Sequence, residues 1–104
     1  MITDSLVFLQ SWYASCCDGE WEHGYGVKIE TLDDPGWFVE IDLMDTPLSG
    51  TSLERFVIDR TEDDWIQFWS DGTHFKGACG PLNLGEMLGA FRDFVETTAM
   101  SPPA

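Results

Sequence analysis

The side chains able to do chemistry are few. Three cysteines (Cys16, Cys17, Cys79) and two histidines (His23, His74) stand among 19 Asp and Glu in a chain of 104 residues. Nucleophilic catalysis needs a Cys or Ser beside a positioned base, and a thiol is activated by nearby cations or amide donors. Cys16 falls on an apolar helical stripe, where a free cysteine behaves as a small hydrophobe. The loop Cys79-Gly80-Pro81-Leu82-Asn83 holds no Lys or Arg, and abundant carboxylates keep thiols protonated. Structural zinc requires closely spaced Cys and His pairs. Here the histidines are far apart, and adjacent Cys16 and Cys17 cannot both point to one side of a helix. Calcium requires oxygen ligands at fixed loop positions, a spacing that neither Asp33-Asp34 nor Glu62-Asp63-Asp64 has. Paired carboxylates can do acid–base work, but among 19 acids neighbours arise by chance. The inventory predicts no catalytic residue, no metal site and no cofactor.

Charge narrows the partners. Five Lys and Arg against 19 acids leave a formal net charge of -14 and a pI near 4.1. Such a chain repels phosphate backbones and anionic membrane surfaces, so neither nucleic acid nor membrane is an expected partner. A solvated acidic protein, a cation binder and a partner for something basic remain. Disordered acidic chains lack aromatics, whereas this one has 5 Trp and 7 Phe, and a compact fold is expected. No apolar run approaches the ~20 residues of a membrane span. Met1 to Gln10 has no basic stretch, so no secretory signal is expected. An odd cysteine count with an adjacent pair is a poor disulfide framework, and a cytoplasmic location is the expectation.

The elements that must position these residues follow from periodicity. Leu6, Leu9, Trp12 (with Tyr13) and Cys16 recur at helical spacing behind a cap from Thr3, Asp4 or Ser5, and Asp18-Gly19 ends the helix. After the connector Glu20 to Gly24 the period becomes two. Tyr25, Val27, Ile29 and Thr31 share one face of a strand; Gly26, Lys28, Glu30 and Leu32 share the other. Asp33-Asp34-Pro35-Gly36 reads as a turn in which Pro presets φ and Gly takes positive φ. Trp37, Val39, Ile41 and Leu43 then alternate with Phe38, Glu40, Asp42 and Met44, completing a hairpin. Placing the apolar residues together pairs odd with odd. The tightest such pairing sets Ile29 opposite Ile41, Glu30 opposite Glu40 and Lys28 opposite Asp42, which leaves the outer face acidic and partly unpaired.

Thr46 to Thr51 reads as a loop and Leu53 to Arg60 as a third strand. Beyond the turn at Glu62-Asp63-Asp64, Trp65 to Ser70 forms a fourth strand, and Asp71-Gly72 leads into a fifth over Thr73 to Ala78. Trp65 and Trp69 share a face opposite Ile66 and Phe68. Either both faces of that strand are covered or one is sticky; burial of the tryptophans in the core is the expectation. Asn83 with Glu86 resembles a capping box ahead of the stripe Leu84, Met87, Leu88, Phe91, Phe94 and Val95. The predicted fold is α+β: an antiparallel sheet of about five strands packed on an N-terminal and a C-terminal helix. Residues 1–96 form one domain and 97–104 a flexible tail.

Longer strings carry a resemblance. Trp12-Tyr13, Cys17-Asp18-Gly19-Glu20-Trp21-Glu22-His23-Gly24-Tyr25-Gly26, Thr31-Leu32-Asp33-Asp34-Pro35-Gly36-Trp37 and Ile41-Asp42-Leu43 are similar to the immunity protein 53 family. So are Asp64-Trp65-Ile66, Phe75-Lys76-Gly77, Gly80-Pro81-Leu82-Asn83-Leu84 and Phe91. Asp34 departs from the family's more frequent Asn. The resemblance spans roughly Leu6 to Val95 and makes residues 1–96 an immunity-protein-like domain. It implies a bacterial antidote encoded beside the toxin of a polymorphic toxin system, with that cognate toxin as its partner and no catalysis of its own. Many such toxins are nucleases with basic grooves, which an acidic inhibitor can block electrostatically and sterically. The candidate toxin-binding residues are Glu30, Phe38, Glu40 and Asp42, on the hairpin's outer face. Trp21, Glu22, His23, Pro35, Gly36 and Trp37 read as a structural motif, with Glu22 bonding buried backbone or His23. A monomer or homodimer is expected. The alternative is a small acidic module that binds cations or self-associates through the Trp65/Trp69 face.

Overall fold

Two apolar helices and five alternating strands leave one arrangement open: a single sheet carrying both helices on its apolar side. The computed structural model describes residues 3–100. The elements are α1 (Thr3–Cys16), α2 (Trp21–Gly24), β1 (Val27–Leu32), β2 (Gly36–Asp42), β3 (Ser52–Thr61), β4 (Asp64–Asp71), β5 (His74–Cys79) and α3 (Leu84–Met100). All strand pairs are antiparallel, in the order β1-β2-β5-β4-β3. The fold is α+β, as the periodicities predict. α3 continues to Met100, past the start of the expected tail, and residues 101–104 lie outside the described residues.

α1 already includes Thr3, so Thr3, Asp4 and Ser5 do not stand ahead of it as caps. Whatever precedes it lies outside the described residues. Of its stripe, Leu9 and Trp12 are buried and Cys16 is half-buried, but Leu6 is 53% exposed. Phe8 takes part in the packing instead, its ring edge-on to Phe91 at 6.5 Å. Ser5 lies beside Gly89, and Cys16 lines the same hollow as Val95. The two helices therefore run in the same sense across the sheet.

The core lies between them and the sheet. Val39, Ile41, Ile66, Phe75 and Cys79 point inward from β2, β4 and β5 and meet Met87, Phe91 and Phe94 of α3. Aromatic rings link the layers: Phe75 packs on Phe91 at 5.2 Å, Phe91 on Trp12 at 5.0 Å, and Trp12 on Trp21 at 6.1 Å. Gly77 makes this approach possible, because a Cβ there would stand 2.5 Å from the end of Met87.

The first hairpin keeps the expected parity but shifts by two. Val27 pairs with Ile41, Ile29 with Val39, Lys28 with Glu40 and Glu30 with Phe38. The Glu30/Glu40 and Lys28/Asp42 pairs do not form. Gly36 is the reason: it belongs to β2, opposite Leu32, and not to the turn. It lacks a positive φ, and its role is close approach, since a Cβ there would stand 2.4 Å from the Cys79 carbonyl oxygen. The Asp34-Pro35 peptide is cis. After β2, the chain crosses below β5 and β4 to the far edge, held by Leu43 N–H to Thr73 O (2.9 Å) and Gly50 N–H to Gly72 O (2.8 Å).

Candidate functional site

Covering one face with two helices leaves the other bare, and no described element packs against it. Register assembles that face in rows. One row runs Lys28, Glu40, Lys76, Trp69; the next runs Glu30, Phe38, Ala78, Gln67, Val57. All four candidate contact residues, Glu30, Phe38, Glu40 and Asp42, therefore stand together on adjacent strands.

Their charges are largely answered from within. Glu40 lies 3.7 Å from Lys76, and Glu30 is 4.0 Å from Lys28. Asp42 receives the Gly26 N–H at 2.8 Å and sits 2.7 Å from His74 Nε2. It anchors the start of β1 as well as facing solvent. The face expected to be acidic and partly unpaired is thus a ladder of alternating charge. Three of the chain's five cations, Lys28, Arg55 and Lys76, lie on this face. The acidic surplus is concentrated elsewhere. At one end of the sheet the turns carry Asp33, Asp34, Glu62 and Asp63, whose carboxylates have no ion pair or hydrogen bond among the described residues. Leu82, 94% exposed, shares that end.

Trp65 and Trp69 are on the open face and only half-buried, which corrects the core assignment. Ile66, Phe68 and Ser70 occupy the inward positions of β4, and alternation puts the tryptophans opposite. The Arg55 guanidinium lies 4.8 Å above the Trp69 ring and donates from Nε to Gln67 at 3.1 Å. Alternation gave these faces from sequence; which face was covered depended on how many helices there were to cover it.

The motif residues sit at the two ends. α2, a single turn, occupies the connector that showed no periodicity. Asp18 Oδ1 accepts the N–H groups of Trp21 and Glu20, both at 2.9 Å, which hold its carboxyl below the ordinary value. Glu22 accepts from Asp18 (3.0 Å) and Gly19 (2.9 Å). Its carboxyl is lowered by its own N–H and by these two. Its partners are exposed amides of its own turn, not buried backbone. Trp21 is buried, and its indole N–H donates to Met44 O at 2.9 Å. His23 and Pro35 are exposed. Trp37 donates to Pro81 O at 3.0 Å, joining the hairpin to the approach to α3.

Two of the three thiols, Cys16 and Cys79, are placed for packing. Cys79 is fully buried, and burial pushes its pKa up to about 11. Burial raises Cys16 as well. Both shifts run opposite to those of an activated nucleophile. Among the described residues no three His, Cys, Asp or Glu side chains are grouped to hold a metal ion, and no helix is long and apolar enough to cross a membrane.

No curated protein and no solved structure gives a match to this chain. The family model described as immunity protein 53 does match, over residues 6–96, from the first turns of α1 through most of α3. That span takes in the Trp21 turn, the Gly36 approach and the whole sheet with its bare face, and the chain belongs to the immunity protein 53 family.

Proposed function

We propose that the protein neutralises a cognate bacterial toxin in the cytoplasm by binding it, that the toxin is a nuclease with a basic substrate groove, and that inhibition comes from occupying that groove. The observation that carries this reading is the bare sheet face, which sets Trp65, Trp69, Phe38 and Arg55 in a body of net charge -14. Tryptophan and arginine are the residues that anchor protein interfaces. The surrounding negative potential steers a cationic partner toward them. Glu30, Phe38, Glu40 and Asp42 contribute the β1–β2 side of the contact. The chain binds rather than catalyses, in keeping with thiols whose pKa values burial raises.

The test mixes the chain with the toxin domain encoded beside its gene. A double charge reversal, Glu30→Lys with Glu40→Lys, is expected to slow association at least ~10-fold at low salt, with less effect at high salt. Asp42→Lys is a poorer probe, because Asp42 also holds Gly26. Unchanged affinity and salt dependence would remove the hairpin from the interface. Absence of binding and of protection by the unaltered chain would remove neutralisation itself. Exposure of Trp65 and Trp69 also favours a second reading, in which two copies meet through this face. A monomer in sedimentation velocity would discard it.

A further inference from the structure

α3 lies over β4 and β5, where Phe91 and Phe94 meet Phe75 at 5.2 and 5.4 Å. α1 lies on the far side of α3, with Leu9 and Tyr13 beside Val27 of β1. Nothing described covers β3 at the opposite edge. Its inward side chains look into a groove of about 510 Å³ between β3 and α3. Phe56 points to the helix side of the sheet, its ring tilted against Phe68 at 5.1 Å, and is still 48% exposed. A large aromatic directed inward yet left wet on an edge strand marks a surface shaped for something else to cover.

The lining says what. Leu53, Phe56, Ile58, Phe68 and Phe94 make the walls and floor apolar. Among the described residues the charged groups lining the groove are the carboxylates Glu86 and Asp93, about two turns apart on one face of α3, with no Lys or Arg. Arg60 already engages Glu86. Asp93 is exposed, and its carboxylate has no ion pair or hydrogen bond among the described residues. An apolar slot with an anionic rim complements an apolar side chain flanked by cations. A second copy of this chain is a poor fit, because it would bring another -14 charges and another pair of rim carboxylates.

We propose that this groove takes an apolar side chain of the toxin carried on a segment with Lys or Arg on either side. The contact is separate from the open sheet face and lies on the other side of the sheet. It rests on the reading that the chain binds a toxin. Together the two would clamp the partner around the β3 edge.

The experiment titrates the toxin domain encoded beside the gene against the full chain and two variants. Phe56→Asp puts a charge in the slot, and Asp93→Lys reverses the rim at an exposed helical position whose carboxylate has no ion pair or hydrogen bond among the described residues. Melting temperatures check both folds, so Asp93→Lys keeps the test decisive should Phe56→Asp unfold. The expected result is binding weakened ~30-fold or more by Phe56→Asp and about 10-fold by Asp93→Lys, with both chains folded. Tight binding by the parent chain and equally tight binding by both variants would overturn the groove while leaving toxin neutralisation standing. No binding by the parent chain would sink both. A parent dimer that Phe56→Asp converts to a monomer would assign the groove to a second copy and overturn the proposal. So would a small apolar molecule found bound there by native mass spectrometry without effect on toxin affinity.

Discussion

Replacing Gly36 by Ala tests how the sequence motif and the sheet are connected. The new Cβ would sit 2.4 Å from the Cys79 carbonyl oxygen, about 1 Å inside the closest ordinary contact, and the obstacle is backbone. A flexible side chain could move aside; a carbonyl held in the β2–β5 ladder cannot. Relief requires separating Trp37 from Cys79, its partner across the strands, and straining the Trp37 bond to Pro81 O. Overpacking of this kind costs about 1–3 kcal/mol, and loss of this partly buried hydrogen bond adds about 1 kcal/mol. The sum, about 2–4 kcal/mol, is a large part of a small domain's total stability of about 5–15 kcal/mol. At about 4–8 °C per kcal/mol, the melting temperature should fall by roughly 8–32 °C. Thermal unfolding followed by circular dichroism reads this directly. Gly85→Ala is the control, since a Cβ there meets nothing within 4 Å, and it should leave stability unchanged or slightly raised. A Gly36→Ala chain melting within about 2 °C of the parent would refute the close-approach argument.

Two further outcomes follow from titrating groups. Asp71 accepts the Thr73 hydroxyl at 2.7 Å and the N–H groups of Thr73 and His74, both at 2.9 Å, which hold its carboxyl well below the usual carboxylate range. Because the folded value is lowered, its contribution is complete above the unfolded value near ~4 and fades as pH falls toward the folded one. Asp71→Ala should therefore cost about 1 kcal/mol in urea unfolding at neutral pH, allowing for exposure, with the difference shrinking below pH ~4. A penalty equal at all pH values would contradict this. With its thiol near 11 and fully buried, Cys79 should alkylate at least ~100-fold more slowly than a free thiol at pH ~8, and protection by the alkylated chain should persist. Loss of protection on alkylation would reopen cysteine chemistry.

Local signals carried the elements and their faces; pairing between distant segments was invisible to them. Alternation from Val27 to Ile41 identified which residues of the hairpin face outward, because side-chain direction has period two whatever the partner. The shift by two arose at Gly36, which the β5 backbone draws into a strand. Nothing near residue 36 announces β5. Likewise the partnership of Glu40 with Lys76 depends on β2 lying next to β5, and that order follows from a crossover and no local pattern. α2 escaped notice because four residues cannot display a helical period. The Asp18 and Glu22 carboxylates hold that turn by accepting backbone N–H groups within it, a bonding pattern that apolar periodicity does not carry. Alternation sets the tryptophans of β4 opposite Ile66 and Phe68, as the register shows. Their exposure followed only once both helices were seen to share one face.

The most direct measurement of whether negative potential captures a cationic toxin is the association rate of the two proteins as a function of salt. Stopped-flow mixing from about 0.01 M to about 1 M ionic strength shortens the screening length from about 30 Å to about 3 Å. A body of charge -14 steering a basic partner should associate near ~10⁸ M⁻¹s⁻¹ at the low end and fall about 100-fold by the high end. A rate that stays flat across that range, with tight binding retained, would contradict the account.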